Sequence, residues 1–218
     1  NVFAACMLAM GDADAMITGT TRSFYVCYDD VTKVIDPNRG EKPMGVSILL
    51  SKGRTIFVSD TNVHVVPSAE ELVAIAKETA AYARKLGHEP RVALVSYSNF
   101  GNPMHEATAR IRDAVKLLDK EKVDFEYDGE MSAAIALNYT QQKELYPFSR
   151  LSGPANVLVM PALQSAHVAT RLMQSLGGGT VIGPILRGLS KPVQICQMGA
   201  NVSDILNIAA LAAHDAVG

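Results

Sequence analysis

Residues 91–96 are apolar from Val92 through Val95 without a break, and the run is bounded by Pro90 and by the loop Asn99-Phe100-Gly101-Asn102-Pro103. A strand with one face in water alternates apolar and polar residues, so an unbroken run requires cover on both faces. Helical patterns on either side supply that cover. Upstream, Ser68 and Glu71 have capping-box spacing. Leu72, Ile75, Ala76, Thr79, Ala80, Ala83 and Leu86 then recur at helical spacing, and Gly87 ends the helix. Downstream, the pattern predicts a helix over about 104–119 and a strand near 123–127.

The same alternation runs through the rest of the chain. Residues 15–18 read as a short buried strand, and 45–50 with 55–59 read as a hairpin about Ser51-Lys52-Gly53-Arg54. Residues 157–160 read as another buried strand, followed by a helix over 163–176 and a stop at Gly177-Gly178-Gly179. Strands at 181–182 and 193–196 precede a last helix over 202–216 that Asn201 can cap. Strands alternating with helices at this spacing predict an α/β fold of three layers around a mostly parallel sheet.

With 218 residues, 48% apolar and 19% charged, the chain can bury a sizeable core. A net charge of −2 lacks the basic excess of a phosphate-tracking surface, so no nucleic-acid partner is expected. No apolar run reaches membrane-spanning length and no signal pattern opens the chain, so no membrane partner is expected and the reading is cytoplasmic. Cys6, Cys27 and Cys196 are odd in number and sit among apolar residues, which suits reduced, buried thiols better than a disulfide framework or a nucleophile. The histidines His64, His88, His105, His167 and His214 are scattered, so no metal site is expected. The three glycines 177–179 follow a helix instead of opening one, which argues against a dinucleotide loop. Asp12 and Asp14 read as turn residues before the first strand.

The segment Gly183-Pro184-Ile185-Leu186-Arg187-Gly188-Leu189-Ser190-Lys191-Pro192-Val193-Gln194-Ile195-Cys196-Gln197-Met198-Gly199-Ala200-Asn201-Val202-Ser203-Asp204-Ile205-Leu206-Asn207 resembles the phosphotransacetylase pattern G-P-I-L-Q-G-L-x-K-P-V-N-D-L-S-R-G-C-S-V-E-D-I-V-N. Gly11-Asp12-Ala13-Asp14-Ala15-Met16-Ile17-Thr18-Gly19 is similar to that family's G-x-A-D-A-x-x-[ST]-G. Asp60-Thr61-Asn62-Val63-His64-Val65-Val66-Pro67-Ser68-Ala69-Glu70-Glu71-Leu72 is similar to its D-x-x-x-N/H-x-x-P-[ST]-A-E-x-L. Ser96-Tyr97-Ser98-Asn99-Phe100-Gly101 departs from S-x-S-T-K-G-S toward the S-N-F-G of the C-terminal domain of long bacterial NADP-dependent malic enzymes. The stretches 124–131, 146–148 and 151–161 also look like that subgroup.

The resemblance implies an isocitrate dehydrogenase-like pair of α/β domains around a cleft. Residues 1–67 and 184–218 would be the remains of the first domain, and 68–183 an inserted second domain. It also implies that part of the module, and a preceding malic-enzyme part that would hold NADP and a divalent metal, lie outside this sequence.

Several departures remove positive charge. The family's Ser-Arg pair falls on Gln197 and Met198, and its Asn-Asp pair on Gln194 and Ile195. The lysine of S-T-K-G-S is Phe100, the arginine of Q-R-L-G is Ser175, and Tyr25-Val26-Cys27-Tyr28-Asp29 stands where T-A-D-T-x-R is usual. A thioether cannot hold a phosphate or a developing oxyanion as a guanidinium does. No residue is therefore assigned a catalytic role. The resemblance implies a regulatory domain that binds acetyl-CoA in the cleft and inhibits an attached malic enzyme, assembled as a homo-oligomer on a two-fold dimer. The alternatives are an active phosphate acetyltransferase and a purely structural oligomerisation module.

The residues expected to contact acetyl-CoA are Asn99, Phe100, Gly101, Arg187, Gln197, Met198, Asn201 and Asp204. For Asn201 and Asp204, a helix cap with an acidic first turn is an equally open reading. For Arg187, a surface or interdomain ion pair stands against a coenzyme A phosphate.

Overall fold

The computed structural model describes residues 1–217. The chain divides into two compact units, Asn1–Ser47 with Ile182–Gly218, and Ile48–Val181. The second is continuous in sequence and is inserted between the two segments of the first.

In the discontinuous unit, α1 (Val2–Met10), β1 (Met16–Gly19) and α2 (Phe24–Thr32) come from the first segment, and β8 (Val193–Cys196) and α8 (Val202–Val217) from the last. β1 and β8 run parallel, with Met16 opposite Val193 and Gly19 opposite Cys196. The strands approach so closely at Gly19 that a Cβ there would lie 2.0 Å from the Cys196 carbonyl oxygen, and its φ of +110° already favours glycine. Ala5, Leu8, Met16, Val31, Ile35 and Val193 form the core. α8 packs on β8 and β1, burying Ile208 and Ala212 and leaving Val202 and Leu206 exposed.

α2, which buries Cys27 and Val31 one turn apart, is not among the expected helices. Its start is set by Ser23, whose hydroxyl accepts from the Val26 N–H.

The inserted unit holds β3 (Arg54–Ser59), β4 (Arg91–Val95), β5 (Glu126–Met131) and β6 (Val157–Val159) in the order β5-β4-β6-β3. The row continues into β2 (Met44–Ser51) and β7 (Thr180–Arg187), which carry the chain between the units. The β5-β4, β4-β6 and β6-β3 pairs are all parallel. Lys52 and Gly53, both at positive φ, make the two-residue turn from β2 to β3.

α3 (Ala69–Lys85) and α4 (Ala109–Glu121) pack together on this sheet. The Tyr82 ring of α3 meets Phe57 of β3 edge-on. α5 (Ala133–Leu137) contacts β4, and α7 (Leu163–Ser175) contacts β3. The alternate strand residues Val58, Ala93, Val95 and Leu158 cluster with Ile135, Ala136 and Ala166 of these two helices. Both faces are covered, as the apolar run at 92–95 requires. α6 (Tyr139–Leu145) follows α5 directly.

Three elements differ most from the expected bounds, and one of them is β7, expected at 181–182, which runs on to Arg187. β5 lies later than 123–127, and its alternation is carried by carboxylates, with Asp128 and Glu130 buried. It is an edge strand whose acids take partners from the loops that hold Ser98, Gly101, Ser149 and Ser152 and from Arg112 of α4, so apolar patterning does not mark it. The helix expected from 104 starts at Ala109, after a short 3-10 turn over Glu106–Thr108 that the His105 imidazole caps through the Ala107 N–H.

α3 carries the full capping box. Ser68 Oγ accepts from the Glu71 N–H and the Glu71 carboxylate from the Ser68 N–H. Among the described residues, no helix is long and apolar enough to cross a membrane.

Candidate ligand-binding segments

In the inserted unit, the loop after β4 leaves the carboxyl edge of the parallel strands, the side on which open α/β sheets bind ligands. Asn99 and Asn102 exchange backbone hydrogen bonds at 3.0 Å, which folds the loop back on itself. The Asn99 side-chain oxygen accepts from the Ser132 N–H at 2.8 Å, at the start of α5. Phe100 and Gly101 both take positive φ. The Phe100 N–H donates to the Glu130 carbonyl at 2.7 Å, and the Gly101 N–H to the Glu130 carboxylate at 3.0 Å.

The three expected residues are thus held as one turn. Phe100 closes against Tyr146 and Phe148, with ring centroids 5.1 and 4.9 Å away. Phe148 is 65% exposed, so the cluster presents an aromatic edge to solvent beside the loop.

The residue that fastens this turn is Glu130, which was not foreseen. It is fully buried, and its Oε1 accepts from Ser98 Oγ at 2.6 Å, from the Gly101 N–H, and from Arg112 at 3.1 Å. Its Oε2 has no hydrogen-bond partner among the described residues. The available signal was the pair Asp128 and Glu130, two acids on one face of a strand, a pattern that needs partners if the strand is to be covered. Asp128 finds them in Ser149 Oγ and the Arg150 N–H, at 2.9 and 2.8 Å.

In the discontinuous unit, the segment after β8 holds the other expected residues. Gln197 and Ala200 close a turn by the Ala200 N–H to Gln197 carbonyl bond at 3.1 Å, with Gly199 at φ +76°. Met198 sits in that turn and is 63% exposed. Asn201 and Asp204 cap α8 reciprocally: the Asp204 N–H donates to Asn201 Oδ1 at 2.9 Å, and the Asn201 N–H to the Asp204 carboxylate at 3.0 Å. The side chains that the pattern offered to a ligand therefore serve the helix start, which leaves Met198 and the turn backbone as the open surface.

Arg187 pairs with Asp215 of α8 at 2.7 Å, within the same unit, so its guanidinium is engaged. Gln194, in the family's asparagine position, is buried. Its amide takes the Leu186 N–H at 2.8 Å and donates to the Leu186 carbonyl at 3.1 Å, tying β8 to β7 as a strand neighbour would.

Cys196 is buried, and burial, with the nearby Asp204 charge, raises its thiol pKa above the ordinary value. A thiol shifted in that direction is a poor nucleophile at neutral pH.

The model of the family described as phosphate acetyl/butaryl transferase matches residues 1–213. The chain belongs to that family. It is 56% identical to an NADP-dependent malic enzyme of Rhizobium meliloti (strain 1021) over 99% of its own length and 28% of that protein's. It is 29% identical to the phosphate acetyltransferase of Bacillus subtilis (strain 168), over 100% of the chain and 68% of that protein. A crystal structure of a phosphotransacetylase from Streptococcus pyogenes superposes with a TM-score of 0.92 at 29% identity, over 100% of this chain and 67% of that one. The chain thus spans little more than a quarter of the malic enzyme and about two thirds of the transferases.

Proposed function

We propose that this chain is a non-catalytic acetyl-CoA-binding domain of an NADP-dependent malic enzyme, whose occupancy lowers malate oxidation in the attached enzyme. The observation that carries the reading is the turn over 197–200. The backbone frame and the capped helix start of the family segment are intact, while Met198 stands open to solvent with no charge to offer. Such a surface suits a thioester and an amide-bearing arm better than inorganic phosphate. The Asn99-Phe100-Gly101 turn and its aromatic edge are the corresponding surface in the inserted unit.

A ligand that prefers one arrangement of the parent enzyme shifts it by its difference in affinity, and that is sufficient for feedback inhibition. On this reading NADP and a divalent metal are held by the malic-enzyme part, the parent is cytoplasmic, and it assembles as a homo-oligomer through a two-fold pair of these domains. Val202 and Leu206, left exposed on α8, support the last point.

The test is Met198→Glu in the full-length protein. Placing a carboxylate beside the ligand is expected to weaken acetyl-CoA binding and relieve inhibition together, each by roughly tenfold or more, while uninhibited malate oxidation stays unchanged. Wild-type affinity and wild-type inhibition in Met198→Glu would remove the 197–200 turn from the site. Phosphate-dependent acyl transfer by the wild type would favour the active transferase reading instead.

A further inference from the structure

Directly after β3, at the carboxyl edge of the inserted unit's sheet, Asp60 and His64 form a carboxylate-imidazole couple. Asp60 is 2% exposed, and His64 Nδ1 lies 2.6 Å from its Oδ2. Asp60 also accepts the backbone N–H groups of Asn62, Val63 and His64 at 2.8, 3.2 and 2.7 Å. Those bonds already close the loop that leads into α3, so the imidazole is not needed to shape it.

In the neutral imidazole, an acceptor-only carboxylate holds the proton on Nδ1 and leaves the lone pair on Nε2. Nε2 makes no hydrogen bond to any described residue and is not sealed in the interior. The result is an oriented acceptor at the carboxyl edge of the sheet, with no partner among the described residues.

Its position relative to the Phe100 turn follows from strand order. β3 and β4 flank β6, with Ser59 opposite Val159 and Val159 opposite Leu94. The chain leaves both outer strands at the same level, two strand spacings or roughly 10 Å apart. One extended ligand can span that distance.

We propose that His64 Nε2 accepts a hydrogen bond from an amide N–H or hydroxyl of the acyl-CoA, with Asp60 as the residue that positions it. This rests on the acetyl-CoA reading above and adds a contact to it. Of the ligand's groups, its phosphates are acceptors and would not meet a neutral Nε2 favourably; its amides and hydroxyls would.

Diethyl pyrocarbonate, which acylates accessible imidazole nitrogen, tests this on the wild-type protein, with modified residues mapped by mass spectrometry. His64 is expected to be labelled in the free protein and protected by saturating acetyl-CoA, while exposed His167 and His214 label equally in both states. His64→Leu is expected to weaken acetyl-CoA binding by roughly three- to tenfold, the range for one neutral hydrogen bond. His64→Gln, which restores an amide donor and acceptor, is expected to recover part of the loss. The proposal is overturned if free His64 resists labelling, or if acetyl-CoA binds by calorimetry yet leaves His64 labelling unchanged. Absence of any acetyl-CoA binding overturns the reading beneath it, and the proposal with it.

Discussion

Purified protein supplied with acetyl-CoA and inorganic phosphate is expected to form no acetyl phosphate above the uncatalysed background. The side chains that stand where the resemblance puts the charge carry none. Met198 is exposed in a turn with an uncharged thioether, and Phe100, at the usual lysine position, is folded against Tyr146 and Phe148. The only cation of the expected set, Arg187, is committed to Asp215. Losing one well-placed donor to a developing oxyanion costs about 3 kcal/mol, so two such losses lower the rate by roughly 10,000-fold. A discontinuous assay trapping acetyl phosphate as the hydroxamate reads this directly. Sustained turnover would mean that other groups supply the missing charge.

Glu130→Ala is expected to destabilise the inserted unit by about 3–5 kcal/mol, the range for removing one member of a buried ion pair. The carboxylate is fully buried, and its loss strands Ser98 Oγ and the Gly101 N–H and takes the counter-charge from the Arg112 guanidinium, which keeps Thr108 Oγ1 and the His105 carbonyl. Glu130→Gln should cost less, because one oxygen remains for Ser98 and Gly101 while the unpartnered Oε2 becomes an amide nitrogen. Urea denaturation followed by tyrosine fluorescence measures both. A Glu130→Ala loss below about 1 kcal/mol would show that the turn holds itself without the carboxylate. If the turn carries ligand contacts, the variant also binds acetyl-CoA more weakly than Glu130→Gln does.

Most of the framework was legible because it is written in apolar periodicity. The capping box at Ser68 and Glu71, the covered strand at 92–95 and the strand at 193–196 all lie where the pattern puts them. What was not legible depends on polar groups meeting across long sequence separations. β5 is held by Glu126, Asp128 and Glu130, whose partners are Ser152, Arg150 and Arg112, so no local signal sets its limits. The same holds for the candidate site. The Asn99-Phe100-Gly101 turn was recognisable from the resemblance, but its anchor at Glu130 was not. The Asp60 and His64 couple was hidden because the histidines were weighed as metal ligands, whereas the informative neighbour was a buried carboxylate at i−4. Asn201 and Asp204 had two open readings, and their reciprocal bonds account for both side chains as a helix cap.

The protein we propose is a family member that binds acetyl-CoA without turning it over. Isothermal titration calorimetry of the purified protein with acetyl-CoA, without phosphate and with the cell contents checked for free thiol afterwards, tests that claim most directly. The expected result is a saturable, reversible isotherm of about one ligand per chain in the micromolar range, where a sensor can follow supply, with no thiol released. An isotherm flat at millimolar acetyl-CoA, or stoichiometric release of coenzyme A during the titration, would contradict it.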